Sequence, residues 1–248
     1  MGVLLETANL TKYFGLVKAA DDLTVRVQDG ELVGIVGPNG SGKTTFLNLI
    51  TGYVPPTRGS IRYRGRDITG LPPQTVTALG IARSFQIPQL YTGLTVLENM
   101  LVALVTRAGR SRDFWRPLRD NRRTEEAVQI LGQFGFKDEI GQAVASLAEG
   151  ERKLLDVALS FALKPTLLLL DEPTSGVSAK DKFEVMDTLV GVLKGTGVTT
   201  AFVEHDIDVV RRYAERMLVF EEGKVIADGA PEVLLADAAM KGMILGTG

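Results

Sequence analysis

Gly37-Pro38-Asn39-Gly40-Ser41-Gly42-Lys43-Thr44 lies between an apolar run, Leu32–Val36, and a stretch of helical character, Lys43–Ile50. The eight residues fit G-x-x-x-x-G-K-[ST] in full, and strand, glycine loop, helix is the context that this pattern requires. Glycines let successive backbone N–H groups turn inward as an anion nest, and the helix behind them adds the positive end of its dipole. Lys43 is then placed to reach the β- and γ-phosphates of a nucleoside triphosphate, and the Thr44 hydroxyl to ligate Mg²⁺.

Further along, Leu167-Leu168-Leu169-Leu170-Asp171-Glu172 reads as a buried strand ending in two carboxylates, a costly placement unless the charges are paired or used. Beside a phosphate loop, Asp171 would hold Mg²⁺ through water, and Glu172 would polarise an attacking water or accept its proton. The plainer alternative is a strand followed by an acidic helix cap. His205, the sole histidine, follows the strand-like run Thr199–Val203 with Glu204 between. A lone histidine is commonly structural. At a strand end of an open α/β sheet, where ligands bind, it suits a γ-phosphate sensor or a group that positions Glu172 and water.

Around these motifs the chain changes texture. Residues 3–28 read as β-hairpin structure, with Leu23, Val25 and Val27 alternating against Thr24, Arg26 and Gln28, and residues 60–66 as another, exposed strand and turn. From about 88 to 160 the pattern is helical: Ala127, Ile130, Leu131 and Phe134 share one face, as do Leu154, Leu155, Ala158 and Leu159. A helical stretch at 183–193 between two strand-like runs gives the βαβ rhythm of a parallel sheet, and 217–227 closes as a hairpin.

With 28 Lys and Arg against 30 Asp and Glu in 248 residues, and 45% hydrophobic residues, the chain is globular in composition, neither disordered nor collagen-like. Its net charge of −2 argues against a general nucleic-acid binder. The absence of cysteine removes thiolate nucleophiles, disulfides and Cys-ligated zinc, and one histidine removes a His-rich metal site. No apolar stretch approaches the roughly 18 residues of a membrane span, and the first residues lack the pattern of a secretory signal. A cytoplasmic protein is therefore expected.

In order, the phosphate loop, Gln86 in Ala82-Arg83-Ser84-Phe85-Gln86, the segment Leu147-Ala148-Glu149-Gly150-Glu151, Asp171-Glu172 and His205 resemble the landmarks of the ATP-binding cassette (ABC) ATPases over nearly the whole chain. The resemblance implies an α/β P-loop NTPase in one ABC-type domain, 1–248. A RecA-like core of mixed β-sheet with an antiparallel β subdomain would occupy 1–87 and 161–248, and an inserted helical subdomain 88–160. It implies ATP and Mg²⁺ as cofactors. ATP would be held by Gly37, Pro38, Asn39, Gly40, Ser41, Gly42, Lys43, Thr44 and Thr45, with Phe14, or failing it Tyr13, stacked on adenine. Thr44, Gln86 and Asp171 would serve Mg²⁺, and Glu172, His205 and Gln86 catalysis. In this family Ala148, Glu149 and Gly150 would meet the nucleotide of a second cassette.

Two departures stand out. The usual signature Leu-Ser-Gly-Gly-Gln is here Leu147-Ala148-Glu149-Gly150-Glu151, and Ser178 stands where the D-loop commonly has an aspartate. Added acids favour the helix dipole but repel a γ-phosphate.

Residues 82–86, 94–99 and 225–232 look most like the ATPases of branched-chain amino acid importers. That likeness implies a second ABC ATPase subunit, as heterodimer or homodimer, and transmembrane permease subunits docking near 86–94 through Leu90, Tyr91 and Leu94. It further implies a substrate-binding protein as indirect partner, no nucleic acid, and a peripheral place on the cytoplasmic face of the cell membrane. A cassette for lipid or lipopolysaccharide export, or an ATP-dependent dimerising module with little turnover, are the rival readings. Seven arginines between 107 and 123, with Trp115 among them, read as a solvated face or as a contact with lipid headgroups or permease loops.

Overall fold

The strand that feeds the phosphate loop, Leu32–Val36, is buried at all five positions, as are Leu167–Asp171 and Thr199–Val203. Continuous burial is what a parallel strand covered on both faces requires. The computed structural model describes residues 2–107 and 120–237, together with 240, 242 and 244. In chain order its elements are β1 (Val3–Phe14), β2 (Val17–Leu23), β3 (Arg26–Gln28), β4 (Leu32–Val36), α1 (Lys43–Ile50), β5 (Arg58–Tyr63), β6 (Arg66–Asp67), α2 (Pro73–Ala78) and β7 (Ile81–Ser84). There follow α3 (Val96–Arg107), α4 (Asn121–Gln133), α5 (Glu149–Ala162), β8 (Leu167–Asp171), α6 (Lys182–Thr196), β9 (Thr199–Val203), α7 (Ile207–Tyr213), β10 (Arg216–Glu221), β11 (Lys224–Gly229) and α8 (Pro231–Ala236).

Two sheets result. The larger runs β11-β10-β4-β9-β8-β7, parallel throughout except for the antiparallel edge strand β11, and the smaller runs β2-β1-β5-β6 with β3 added to β1, all antiparallel. The period of two along β8 sends Leu168 and Leu170 into one core and Leu167 and Leu169 into the other. The first core is shared with α3 to α7, the second with α1 and the antiparallel sheet. This mixed α/β architecture is the expected one.

Details differ from the sequence expectations. Residues 3–28 form three strands, because Asp22 adopts a left-handed φ of 58° and Thr7 Oγ1 takes over the pairing of Val25 N at 3.0 Å. Residues 60–66, expected as an exposed strand, lie partly in β5, where Ile61 and Tyr63 are buried because alternate side chains of β5 join the core shared with α1. Helix α5 packs on α3 and α4 and also on β7 and β8, so it joins the helical segment to the sheet.

Register then builds the site. Ile35 and Asp171 both pair with Val203, and Ser84 with Leu170, which places the C-terminal ends of β4, β8, β9 and β7 along one sheet edge. Open α/β sheets bind ligands at that edge.

Candidate nucleotide-binding and catalytic site

From β4 the chain enters the loop at Gly37, with φ of 145°, and reaches α1 through Gly42, with φ of 103°. A Cβ on Gly37 would lie 2.1 Å from the Phe220 carbonyl oxygen, and one on Gly42 2.5 Å from that of Ala19, so both positions demand glycine. Gly42 caps α1 without a side-chain hydrogen bond, and no acidic residue occupies the first turn. The helix N-terminus thus faces the loop with its amides and dipole available to an anion. Lys43 Nζ folds back to donate to the carbonyls of Gly37 at 2.7 Å and Pro38 at 2.8 Å. Burial lowers its pKa, opposed by the carboxylates of Glu172 and Asp171. A cavity of about 390 Å³ lies over the loop, lined by residues 39–45, by Lys18 and Ala19 of β2, and by Glu172 and His205.

Glu172 gathers the sequence-derived catalytic residues. Its Oε1 lies 2.6 Å from His205 Nε2, and its Oε2 accepts from Gln86 Nε2 at 2.8 Å. The backbone is left-handed there, with φ of 52°, a conformation that costs a side-chain-bearing residue about 1 kcal/mol and that Glu172 N→Val203 O at 3.0 Å helps to hold. A carboxylate fixed at both oxygens and facing the phosphate loop is placed to orient a water and take its proton.

Asp171, one residue earlier, is almost fully enclosed, and its Oδ2 accepts from Arg83 Nη2 at 2.5 Å. Arg83 Nη1 donates to Asn48 Oδ1 of α1 at 2.6 Å, while its Nε is buried without a partner among the described residues. No sequence motif assigns a role to Arg83, Lys153, Asp156 or Glu204. Glu204 accepts from Thr174 N at 2.9 Å and Thr174 Oγ1 at 2.8 Å, and burial raises its pKa. Lys153 donates to the carbonyls of Gln86 and Glu172, and Asp156 accepts from Phe85 N and Gln89 N, both at 3.1 Å. A Lys and an Asp three apart inside an apolar helix were the available signal, since charges on a buried face demand partners.

The ABC transporter family matches residues 20–175. The chain belongs to this family and is an ATPase. Among curated relatives, a protein of Archaeoglobus fulgidus called a probable branched-chain amino acid transport ATP-binding protein, LivG, is 36% identical, covering 98% of this chain and 95% of its own length. Among solved structures, the ADP conformation of MJ1267, an ATP-binding cassette of an ABC transporter, is 29% identical with a TM-score of 0.89, covering 99% of this chain and 100% of that one. The cassette MJ0796, a dimer bound to ADP and Pi in a post-hydrolysis state, is 26% identical with a TM-score of 0.78, over 92% of this chain and 99% of that one.

In this ABC ATPase, Ala148, Glu149 and Gly150 stand apart from the phosphate loop. They line a second cavity of about 390 Å³ at the start of α5, with Gly176, Val177 and Ser178. Glu151 Oε2 accepts from Ala148 N at 2.7 Å, so one of the two unusual acids caps its own helix. Ser178 Oγ donates to Asp181 Oδ2 at 2.8 Å, closing the turn before α6. Phe14 and Tyr13, at the end of β1, are both exposed, Phe14 with Lys12 Nζ 5.2 Å from its ring centre, and neither lines the phosphate-loop cavity. Of the arginine run, Arg107 pairs with Glu126 at 2.9 Å and Arg123 with Asp120 at 3.2 Å. Arg110, Arg112, Trp115, Arg116 and Arg119 lie outside the described residues.

Proposed function

We infer that this ABC ATPase is the hydrolysing subunit of an importer for branched-chain or related amino acids, seated at the cytoplasmic face of the membrane through separate permease subunits. The observation that carries the reading is Glu172, gripped by Gln86 and His205 below the phosphate loop. In it, the loop from Gly37 to Thr45 holds the triphosphate, Lys43 turning from the loop carbonyls to the outer phosphates. Glu172 takes the proton of the attacking water, and His205 fixes its carboxylate. Gln86 reports the state of the neighbouring permease, which docks on the segment that follows it. Ile87 and Tyr91 are 75% and 60% exposed there.

The residues also fit Mg²⁺. The Thr44 hydroxyl, Asp171 carboxylate and Gln86 amide oxygen are hard donors, and a single carboxylate with substrate phosphates is the usual Mg²⁺ shell. Among the described residues no group of three or more His, Cys, Asp or Glu could hold a metal alone. The ion, when bound, neutralises charge building on the phosphates. The importer role is favoured by the naming of the A. fulgidus relative. No helix among the described residues is long and apolar enough to cross a membrane, in keeping with transport through other chains. The second cavity, with Ala148, Glu149 and Gly150 at its rim, suits a second cassette, and the dimeric likeness of MJ0796 supports pairing.

Mg-ATP hydrolysis by the purified chain, alone and with a candidate partner cassette, tests this reading. The Glu172→Gln variant should lose turnover by about 10²- to 10⁴-fold while keeping nucleotide affinity. Undiminished turnover in that variant would remove Glu172 from the catalytic role. Tight nucleotide binding with no turnover in any pairing would instead favour a dimerising module.

A further inference from the structure

Helix α5 opens at the signature segment and, farther along, encloses two opposite charges that the chemistry above leaves unused. Lys153 is 4% exposed and donates to the carbonyl oxygens of Gln86 and, at 3.4 Å, of Glu172. Asp156, on the same helix, is 6% exposed and accepts from the amides of Phe85 and Gln89, each at 3.1 Å. Buried charges are retained only when hydrogen-bonded, and here the partners named are all backbone groups of the Gln86 segment or of Glu172 itself. Backbone partners fix the position of a segment irrespective of its side chains. The same helix therefore presents Ala148, Glu149 and Gly150 at its tip and grips both halves of the Gln86–Glu172 pair from its middle. An α-helix moves as a rod, so displacement at its tip is passed to groups held one and two turns on.

We propose that Lys153 is a positioning residue that, with Asp156, makes α5 the link through which a nucleotide phosphate presented by a second cassette at Ala148–Gly150 sets the geometry of Gln86 and Glu172. This rests on the reading of Glu172 as the catalytic carboxylate. Closure on the opposite nucleotide draws α5 with it, Lys153 carries the Glu172 carbonyl and the Gln86 backbone, and the carboxylate reaches its working position. By linkage the effect runs both ways, so each site senses the other's occupancy.

The test uses the assembled pair of cassettes. Lys153→Met removes the charge at similar length, and Lys153→Arg keeps it. The Met variant should lower kcat about 10- to 100-fold, the scale of a misplacement near 1 Å. KM and the affinity for a fluorescent trinitrophenyl-ATP should stay within about threefold of wild type, the Hill coefficient for ATP should fall towards one, and the Arg variant should restore most of the turnover. Wild-type kcat and cooperativity in the Met variant would overturn the proposal. So would joint loss of kcat, nucleotide affinity and thermal midpoint that Arg does not rescue. If the Met variant fails to fold, Asp156→Asn is read by amide exchange over residues 85–89. Loss of the ATP-dependent change in protection supports the link, and an unaltered change overturns it. Glu172→Gln run in parallel separates the two ideas: turnover surviving there sinks the catalytic reading, while the exchange response at 85–89 still reports on the link.

Discussion

Asp171 terminates four consecutive leucines, and its side chain and that of Arg83 are each only 5% exposed. A carboxylate so enclosed depends on its cation, so Arg83→Met should destabilise the chain by about 3–5 kcal/mol, measured from urea unfolding by circular dichroism. Lys at that position should recover only part, since an ammonium cannot reproduce the fork that spans Asn48 and Asp171. A loss below about 1 kcal/mol would mean that the pair is not what holds Asp171. At Glu172 the question is geometry. Removing His205 by alanine leaves the Gln86 amide to hold the carboxylate, and turnover should fall by about 10²-fold with nucleotide affinity retained. Comparable losses of both would assign His205 to binding. Sequence alone singles out Glu172 and His205 by their strand-end positions, and Gln86 only through the resemblance to the family. It did not see Arg83 as the counter-ion of Asp171, because strand pairing of β7 with β8 is what brings positions 83 and 171 together.

At the scale of elements, α5 shows why periodicity misleads. The apolar face read from the sequence was Leu154, Leu155, Ala158 and Leu159, yet Leu155 and Ala158 are the fully buried members, while Lys153 and Asp156 are buried beside them. The helix packs partly on backbone amides and carbonyls of the Gln86 segment, and those need charged or polar partners rather than methyl groups. Burial pushes the Asp156 carboxyl up from 3.8 to about 6, against the pull of the Phe85 and Gln89 amides. The folded chain then holds that proton more tightly than the unfolded chain. The associated stability is fully present below about pH 4 and is lost as pH rises through about 6, on the order of 3 kcal/mol. Asparagine does not titrate, so the unfolding free energy of wild type relative to Asp156→Asn should fall by roughly that amount between pH 4 and 7 in denaturant titrations. A flat difference would mean that the carboxyl titrates normally. In the phosphate loop, Gly37→Ala forces a Cβ to within 2.1 Å of the Phe220 carbonyl, so the loop must open and ATP affinity should collapse.

For the whole molecule, ATP should stabilise the folded chain by about 2.7 kcal/mol at a concentration 100-fold above its Kd, seen as a higher thermal midpoint. Gly37→Ala should abolish that shift; persistence of the full shift would place nucleotide binding away from the loop. The sequence by itself determined the phosphate loop, the order of the motifs and the alternation of β and helical segments. Those depend on neighbours along the chain: the glycines and Lys43 lie within eight residues, and helical and strand periods are local. Only the tertiary structure decided that Arg83 balances Asp171, that Lys153 and Asp156 hold the Gln86 segment, and that the signature segment faces a cavity of its own. Each of these joins parts of the chain that local propensity does not relate. The parallel register of β7, β8 and β9, and the packing of α5 on β7 and β8, bring those groups within hydrogen-bonding reach.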